Sequence, residues 1–185
     1  MTRQPPETGT SYGSGVPIRA FREDARNLCP DDFEDRHGSA FLLLAAAELR
    51  RPVGPATTQI RLLGMEDHSF EHTANLALVA FPLRHTGRSI GHLVTVGRTA
   101  NNDVVIPDVS ISRFHAFLKQ EKDGRFQIQD ANSTNGTTLN SSAVPAQGQG
   151  PPMDLKPGDN LRFGQVELTF LSAAELQGFV SARES

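Results

Sequence analysis

Three short segments in the second half of the chain hold side chains that suit one kind of chemistry. The first is Gly97-Arg98, followed by Asn101-Asn102-Asp103. The second is Ser110-Ile111-Ser112-Arg113-Phe114-His115. The third is Asp130-Ala131-Asn132-Ser133-Thr134-Asn135-Gly136-Thr137. Together they offer two arginines, several hydroxyls and an asparagine beside a glycine. A guanidinium is a planar fork of N–H donors, hydroxyls add neutral donors, and loop backbone N–H groups add more. No neighbouring acid must pair with both arginines. Such a donor set suits a doubly charged oxyanion such as a phosphate.

Two catalytic readings compete and fare worse. Ser112 and His115 invite a hydrolase, but a nucleophile also needs an orienting acid and an oxyanion hole. No G-x-S-x-G elbow is present, and His115 has a simpler bracing role. His68-Ser69-Phe70-Glu71-His72 has the H-x-x-E-H form of a zinc peptidase. That chemistry needs a helix to bring both histidines to one face, and a third ligand downstream. Gly64 lies just before, and the strand-like TANLALVAF begins at once after. Polar residues leading into a strand explain the pattern better.

The elements that must position the three segments read as strands. From about Ala74 the apolar runs are Leu76–Leu83, His92–Val96, Asp103–Ile106, Phe114–Lys119, Phe126–Gln129, Thr137–Leu139, Asn160–Phe163 and Val166–Leu171. The last alternates apolar and polar as a half-buried strand does. Between them stand the turn formers Thr86-Gly87, Asp123-Gly124, Asn135-Gly136, Pro157-Gly158-Asp159 and Gly164. Many short strands at this spacing predict an all-β sandwich or barrel. The three donor segments then fall on loops between strands, where sandwiches place binding sites. Val144–Met153 is too rich in Pro and Gly for a central strand and reads as a long loop.

The first half reads differently. Residues 1–17 have almost no apolar content and are expected to be disordered, and the tail is drawn out to residue 27. Pro30–His37 has the marks of a short helix: Pro and two Asp in the first turn, Gly38 as its stop. Phe41-Leu42-Leu43-Leu44 is a buried strand or a helix segment, since periodicity cannot separate the two in so short a run. The surrounding stretch has too few large apolar side chains for its own core, so Phe41–Ala47 is expected to dock on the sandwich as a strip. Arg50-Arg51-Pro52 and Gly54-Pro55 mark a linker. At the other end, Ser172-Ala173-Ala174-Glu175 has capping-box form and predicts a short C-terminal helix.

Composition sets the outer bounds. The 185 residues are 37% hydrophobic and 21% charged, which supports a packed core. The formal net charge of -3 gives no global argument for nucleic acid. All of that excess lies in residues 1–75, with 8 basic and 11 acidic side chains; residues 76–185 carry 10 of each. One cysteine, Cys29, precludes an intrachain disulfide and a Cys-cluster zinc site. The apolar run at Ala40–Ala47 is far shorter than a membrane span, and the N-terminus shows no signal-peptide core. The expectation is a cytoplasmic protein with no cofactor, no metal and no membrane partner.

The order and spacing of the donor segments closely resemble those of the forkhead-associated (FHA) domain. The matching stretches are VGRTANNDVVI, SISRFHAFL, IQDANSTNGTTLN and LKPGDNLRFG. The resemblance implies a two-sheet antiparallel β-sandwich over residues 74–172, with 28–73 as a mostly helical or irregular N-terminal extension and linker. Residues 173–185 would form a C-terminal helix and tail. It implies that the apical loops bind phosphothreonine in a partner protein, with no catalysis. Arg98 would hold the phosphate, with Ser112 donating its hydroxyl and Thr134 a hydroxyl or backbone N–H. Arg113 would reach the phosphate or the peptide backbone, and Asn135 would bond the peptide main chain. Gly97, His115 and Gly136 would support the site: close packing, bracing of the Ser112 loop, and a positive-φ turn. Asn140-Ser141 departs from the family's usual Asn-Gly and leaves that turn open to question. The partner would be a Thr-phosphorylated protein, a Ser/Thr kinase or its substrate, bound near micromolar, roughly -8 kcal/mol. An alternative keeps the fold but makes it a phospho-independent interaction or dimerisation module. Thr8, Thr10, Thr57 and Thr58 lie in segments through which a phosphorylated copy would self-associate.

Overall fold

The computed structural model describes residues 13–45, 78–86 and 93–182. These form twelve strands: β1 (Val16–Pro17), β2 (Ala40–Ala45), β3 (Leu78–Pro82), β4 (Leu93–Gly97), β5 (Val104–Val105), β6 (Ala116–Gln120), β7 (Phe126–Asp130), β8 (Thr137–Leu139), β9 (Ser142–Ala143), β10 (Met153–Leu155), β11 (Asn160–Phe163) and β12 (Val166–Ser172). Three helices join them: α1 (Arg22–Asn27), α2 (Pro30–His37) and α3 (Ala173–Ala182). One sheet has the order β1-β3-β2-β12-β11-β8-β9 and the other β10-β7-β6-β4-β5. Neighbours are antiparallel except β4 and β5, which pair in parallel. The fold is a two-sheet β-sandwich: the strand spacing predicts a sandwich or a barrel, and the sandwich is the one the family resemblance implies.

Alternation along the strands builds the core. Val166, Leu168 and Phe170 of β12 join Leu161 and Phe163 of β11 and Val94, Val96, Leu118 and Ile128 of the facing sheet. A second apolar layer lies on the other side of the seven-stranded sheet. There Phe41 and Ala80 are covered by Ile18, Phe21, Ala25 and Phe33 from the N-terminal segment and by Leu176 and Val180 of α3.

That second layer corrects the expectation for the first half of the chain. Phe41–Ala47 is not a strip laid on the sandwich. Residues 40–45 are β2, hydrogen-bonded to β12 on one side and β3 on the other. The run is apolar throughout because both faces are buried: Leu42 and Leu44 meet the inter-sheet core, Phe41 the helical layer. The sandwich therefore does not begin at residue 74. Nor is the whole of 1–27 a disordered tail. Val16–Pro17 pairs with β3, and Ile18 and Phe21 are buried. Ser14 ties this segment to the opposite sheet: its N–H donates to the Val105 carbonyl (3.2 Å), and Val105 N–H donates to Ser14 Oγ (2.8 Å). Local composition conceals this order, because it depends on contacts with strands 60 to 90 residues away.

The helix at Pro30–His37 forms as read, with Cys29 as N-cap and Gly38 beyond its end at φ 105°. The capping box of α3 is closed in both directions: Ser172 N–H donates to Glu175 Oε2 (3.0 Å), and Glu175 N–H to Ser172 Oγ (3.3 Å). The Asn140-Ser141 turn forms despite lacking glycine. Both residues take positive φ, 48° and 71°, as a two-residue hairpin of the favoured twist requires. Asn140 also bridges to the next hairpin, donating to Asp159 Oδ1 (2.8 Å) and accepting from Asn160 N–H (2.9 Å). The 144–153 stretch is largely a loop, ending where β10 begins at Met153. The linker signals at residues 50–55, the His68–His72 pattern, and Thr8, Thr10, Thr57 and Thr58 lie outside the described residues.

Candidate functional site

The site starts where β4 ends. Gly97 carries no Cβ because there is no room for one: it would lie 2.3 Å from the Arg113 carbonyl oxygen and 2.7 Å from Asn102 Nδ2. This close approach docks the 110–115 segment against the end of β4. Arg98 N–H then donates to the Ser112 carbonyl (3.0 Å), and His115 N–H to the Val96 carbonyl (2.8 Å). The Arg113 carbonyl is held by Asn102 Nδ2 (2.7 Å) and by Thr99 Oγ1 (2.9 Å). Asp103, buried, fixes the start of the loop's return by accepting from the backbone N–H and hydroxyl of both Thr95 and Thr86.

The second loop is braced from within. Asp108 Oδ1 accepts from Ser110 N–H (2.8 Å) and Ser110 Oγ (2.6 Å), and Ser110 Oγ accepts from Gln165 N–H (3.0 Å). Below it His115 is completely buried, edge-on to Phe163. Its Nδ1 accepts from Ser112 N–H (3.0 Å), so the proton sits on Nε2, which donates to the Gly136 carbonyl (3.2 Å). Burial lowers its pKa below the ordinary 6.5, against the smaller opposite pull of the Gly136 carbonyl and the Asp130 charge. The ring is thus a neutral strut between two loops. Both nitrogens are engaged, and neither faces the Ser112 hydroxyl as a base would have to.

The third loop is organised by Asp130. Its carboxylate accepts from Ser133 N–H (2.8 Å), Ser133 Oγ (2.6 Å) and Thr137 Oγ1 (2.6 Å). Gly136 follows at φ 75°. The loop meets the second one directly: Ser112 Oγ accepts from Thr134 N–H (3.0 Å) and donates to Thr134 Oγ1 (3.3 Å), and Asn135 Nδ2 donates to the Ser110 carbonyl (2.7 Å).

These loops enclose one open cleft of about 680 Å³ whose lining includes Arg98, Ser112, Arg113, Asn132, Thr134 and Asn135. All five residues expected to contact a phosphopeptide therefore stand together. The three support residues stand behind them: Gly97 and His115 in the tight packing described, Gly136 in a positive-φ turn. Among the described residues no acid lines the cleft. Arg98, Arg113, Thr134 and Asn135 are exposed, and Ser112 is half-buried. Among the described residues neither guanidinium has a carboxylate partner, whereas other arginines, such as Arg36 and Arg125, do. Asn135 keeps one amide N–H and its carbonyl oxygen for another partner. The sequence did not identify Asn102, Asp103, Asp108 and Asp130 as the scaffold. A signal existed in Asp108-x-Ser110 and Asp130-x-x-Ser133, the spacing at which a carboxylate caps its own turn.

A sandwich that gathers loop arginines, hydroxyls and amides at one end defines a class of oxyanion-reading modules. The comparison with known families gives one match: residues 94–164 match the FHA domain, so the chain carries that domain. It is 37% identical over 100 residues to the ABC transporter ATP-binding/permease protein Rv1747 of Mycobacterium tuberculosis, covering 52% of this chain and 11% of that one. It is 35% identical over 78 residues to the glycogen accumulation regulator GarA of Mycolicibacterium smegmatis, covering 42% and 45%. The chain thus spans less than half of either relative. The solved FHA-1 domain of Mycobacterium tuberculosis Rv1747 is 31% identical, covers 45% of this chain and 82% of its own, and superposes with a TM-score of 0.37. No helix among the described residues is long and apolar enough to cross a membrane.

Proposed function

We propose that the chain is a phosphothreonine-dependent interaction module, an adaptor that couples a Ser/Thr kinase to a partner protein without catalysis of its own. The observation that carries this is the pair Arg98 and Arg113, which line a cleft with no acid and have no carboxylate partner among the described residues, flanked by the donors of Ser112, Thr134 and Asn135. A phosphorylated threonine brings about -1.5 to -2 charges and three acceptor oxygens. Two guanidinium groups match that charge, and the hydroxyl and backbone donors match the oxygens. An unphosphorylated threonine leaves the donors without acceptors, which is the basis of discrimination. Family membership supports the reading, since FHA domains recognise phosphorylated motifs through arginine clusters.

The phospho-independent alternative would use a sheet face. The outer face of the seven-stranded sheet lies under the helical layer. That of the five-stranded sheet carries the polar row Lys119, Gln127 and Asp154, with Phe117 beside it stacked on Phe114. Engagement of both His115 nitrogens speaks against a Ser–His hydrolase. The module takes in residues 13–45 as well as the later strands and α3, because β2 lies inside the sheet and α3 packs on it.

Matched phosphothreonine, phosphoserine and unmodified peptide libraries, titrated against the full chain and Arg98→Ala, test the proposal. Phosphothreonine peptides are expected to bind near micromolar. Arg98→Ala is expected to weaken them by about 2–3 kcal/mol, roughly 30- to 150-fold. Equal binding of phosphorylated and unmodified sets, or no loss in Arg98→Ala, would refute it.

A further inference from the structure

A Gly-Ser-Gly stretch is ordinarily a flexible linker. Gly13-Ser14-Gly15 is the opposite, a segment with no spare room. A methyl on Gly13 would overlap the Val105 carbonyl oxygen, and one on Gly15 would overlap the Val79 side chain and the Phe81 ring. Gly13 also takes φ 67°, where a side chain is strained. Ser14 lies between the two glycines, half-buried. The segment is wedged between β5 of one sheet and β3 of the other.

What it touches on β5 matters for the cleft. β5 is two residues long and forms the edge of the five-stranded sheet. On its inner side Ile106 N–H donates to the Gly97 carbonyl (3.0 Å). Val105 turns its backbone groups outward, where a sheet edge leaves them without a strand to pair with. Ser14 takes both. Its N–H donates to the Val105 carbonyl (3.2 Å), and its hydroxyl accepts from Val105 N–H (2.8 Å). A residue 91 positions away in the chain thus stands in for the missing strand. Val105 is the register partner of Gly97, and Gly97 immediately precedes Arg98. The Arg98 loop leaves the sheet at Gly97 and returns to it at β5, so both of its ends rest on this pair of strands.

We infer that Ser14 is a positioning residue for the phosphate site: by closing the outer edge of β5 it holds Gly97 in place, and with Gly97 the aim of Arg98. The inference rests on the phosphothreonine reading above. It adds a control point outside residues 94–164, the part of the chain that matches the FHA domain. Coupling of this kind is reciprocal. A clasp that strengthens peptide binding by some factor is itself held shut by the peptide to the same factor.

The test titrates a phosphothreonine peptide and its unmodified form against the full wild-type chain, Ser14→Ala and Leu155→Ala, at a temperature where all three are folded. Amide exchange at Val105 is followed with and without peptide. Ser14→Ala keeps the backbone bond to Val105 and loses only the hydroxyl acceptor. Leu155→Ala removes a buried side chain from β10, the opposite edge of the same sheet, and controls for lost stability alone. Ser14→Ala is expected to weaken phosphothreonine binding about fivefold, and Leu155→Ala to leave it within about twofold of wild type. In the wild-type chain saturating peptide is expected to slow Val105 exchange by the same factor of about five. Wild-type affinity in Ser14→Ala, or Val105 exchange indifferent to peptide, overturns the positioning role and leaves the phosphate reading intact. An equal loss in Leu155→Ala also overturns it, because affinity then follows stability alone. A wild-type chain that binds phosphorylated and unmodified peptide equally overturns the phosphate reading, and the positioning role with it.

Discussion

Replacing Gly97 by alanine tests whether the site depends on how closely the end of β4 packs against the Arg113 segment. The added methyl would lie 2.3 Å from the Arg113 oxygen. Ordinary contact requires that oxygen to retreat by roughly 1 Å. The hydrogen bonds it accepts from Asn102 and Thr99, now 2.7 and 2.9 Å, would then stretch to or beyond the usual limit. Overpacking costs about 1–3 kcal/mol and each weakened hydrogen bond up to about 1. A total of about 3 kcal/mol lowers the melting temperature of a chain this size by roughly 6–12 °C. Arg98 and Ser112 flank the displaced segment, so phosphothreonine affinity is expected to fall at least about tenfold below the melting transition. Gly178→Ala is the control. It lies in α3 with nothing within 4 Å of the added methyl, and it should stabilise by about 0.5–1 kcal/mol without touching binding. Calorimetry and peptide titration on both variants decide the matter. A Gly97→Ala protein with wild-type melting and wild-type affinity would refute the close-packing argument.

Three further outcomes are expected. Asp130→Asn should destabilise the fold by about 1.5–3 kcal/mol, because the carboxylate accepts three donors in a buried place. It should also weaken peptide binding through the loosened Thr134 loop, as denaturant midpoints and titration would show. His115 makes stability depend on pH. Its folded pKa is depressed, so its contribution is present above the unfolded value of 6.5 and is lost as pH falls through the folded value. Denaturant midpoints between pH 7.5 and pH 5 should therefore fall more steeply for wild type than for His115→Asn, and equal slopes would contradict the assignment. A fragment beginning at residue 74 should not fold cooperatively by circular dichroism. It lacks Ile18, Phe21, Phe33, Phe41, Leu42 and Leu44, all buried. At about 1.5–3 kcal/mol each, their loss approaches or exceeds a typical domain's whole stability.

The donor segments were legible because their chemistry is local. Arginine, serine, threonine and asparagine at turn-bounded positions declare what they can bind wherever the turns go, and alternation in Val166–Phe170 declares a strand. The helix at Pro30–His37 and the box at Ser172–Glu175 were legible for the same reason: a cap is a contact between residues three apart. β2 was not, because a strand buried on both faces has no period to read. The segment from Ser14 to Phe21 was not, because its partners are Val105, β3 and α3.

By itself, then, the sequence determined the all-β class of fold and the donor side chains on which the proposed phosphate chemistry rests. Only the tertiary structure decided that those residues share one cleft, that Gly97 permits it by lacking a side chain, and that a neutral His115 joins the two loops beneath. It also set Ser14 on the outer edge of β5. The reason is physical: donor type is a property of one residue, whereas a site is a set of distances fixed by strands far apart in the chain.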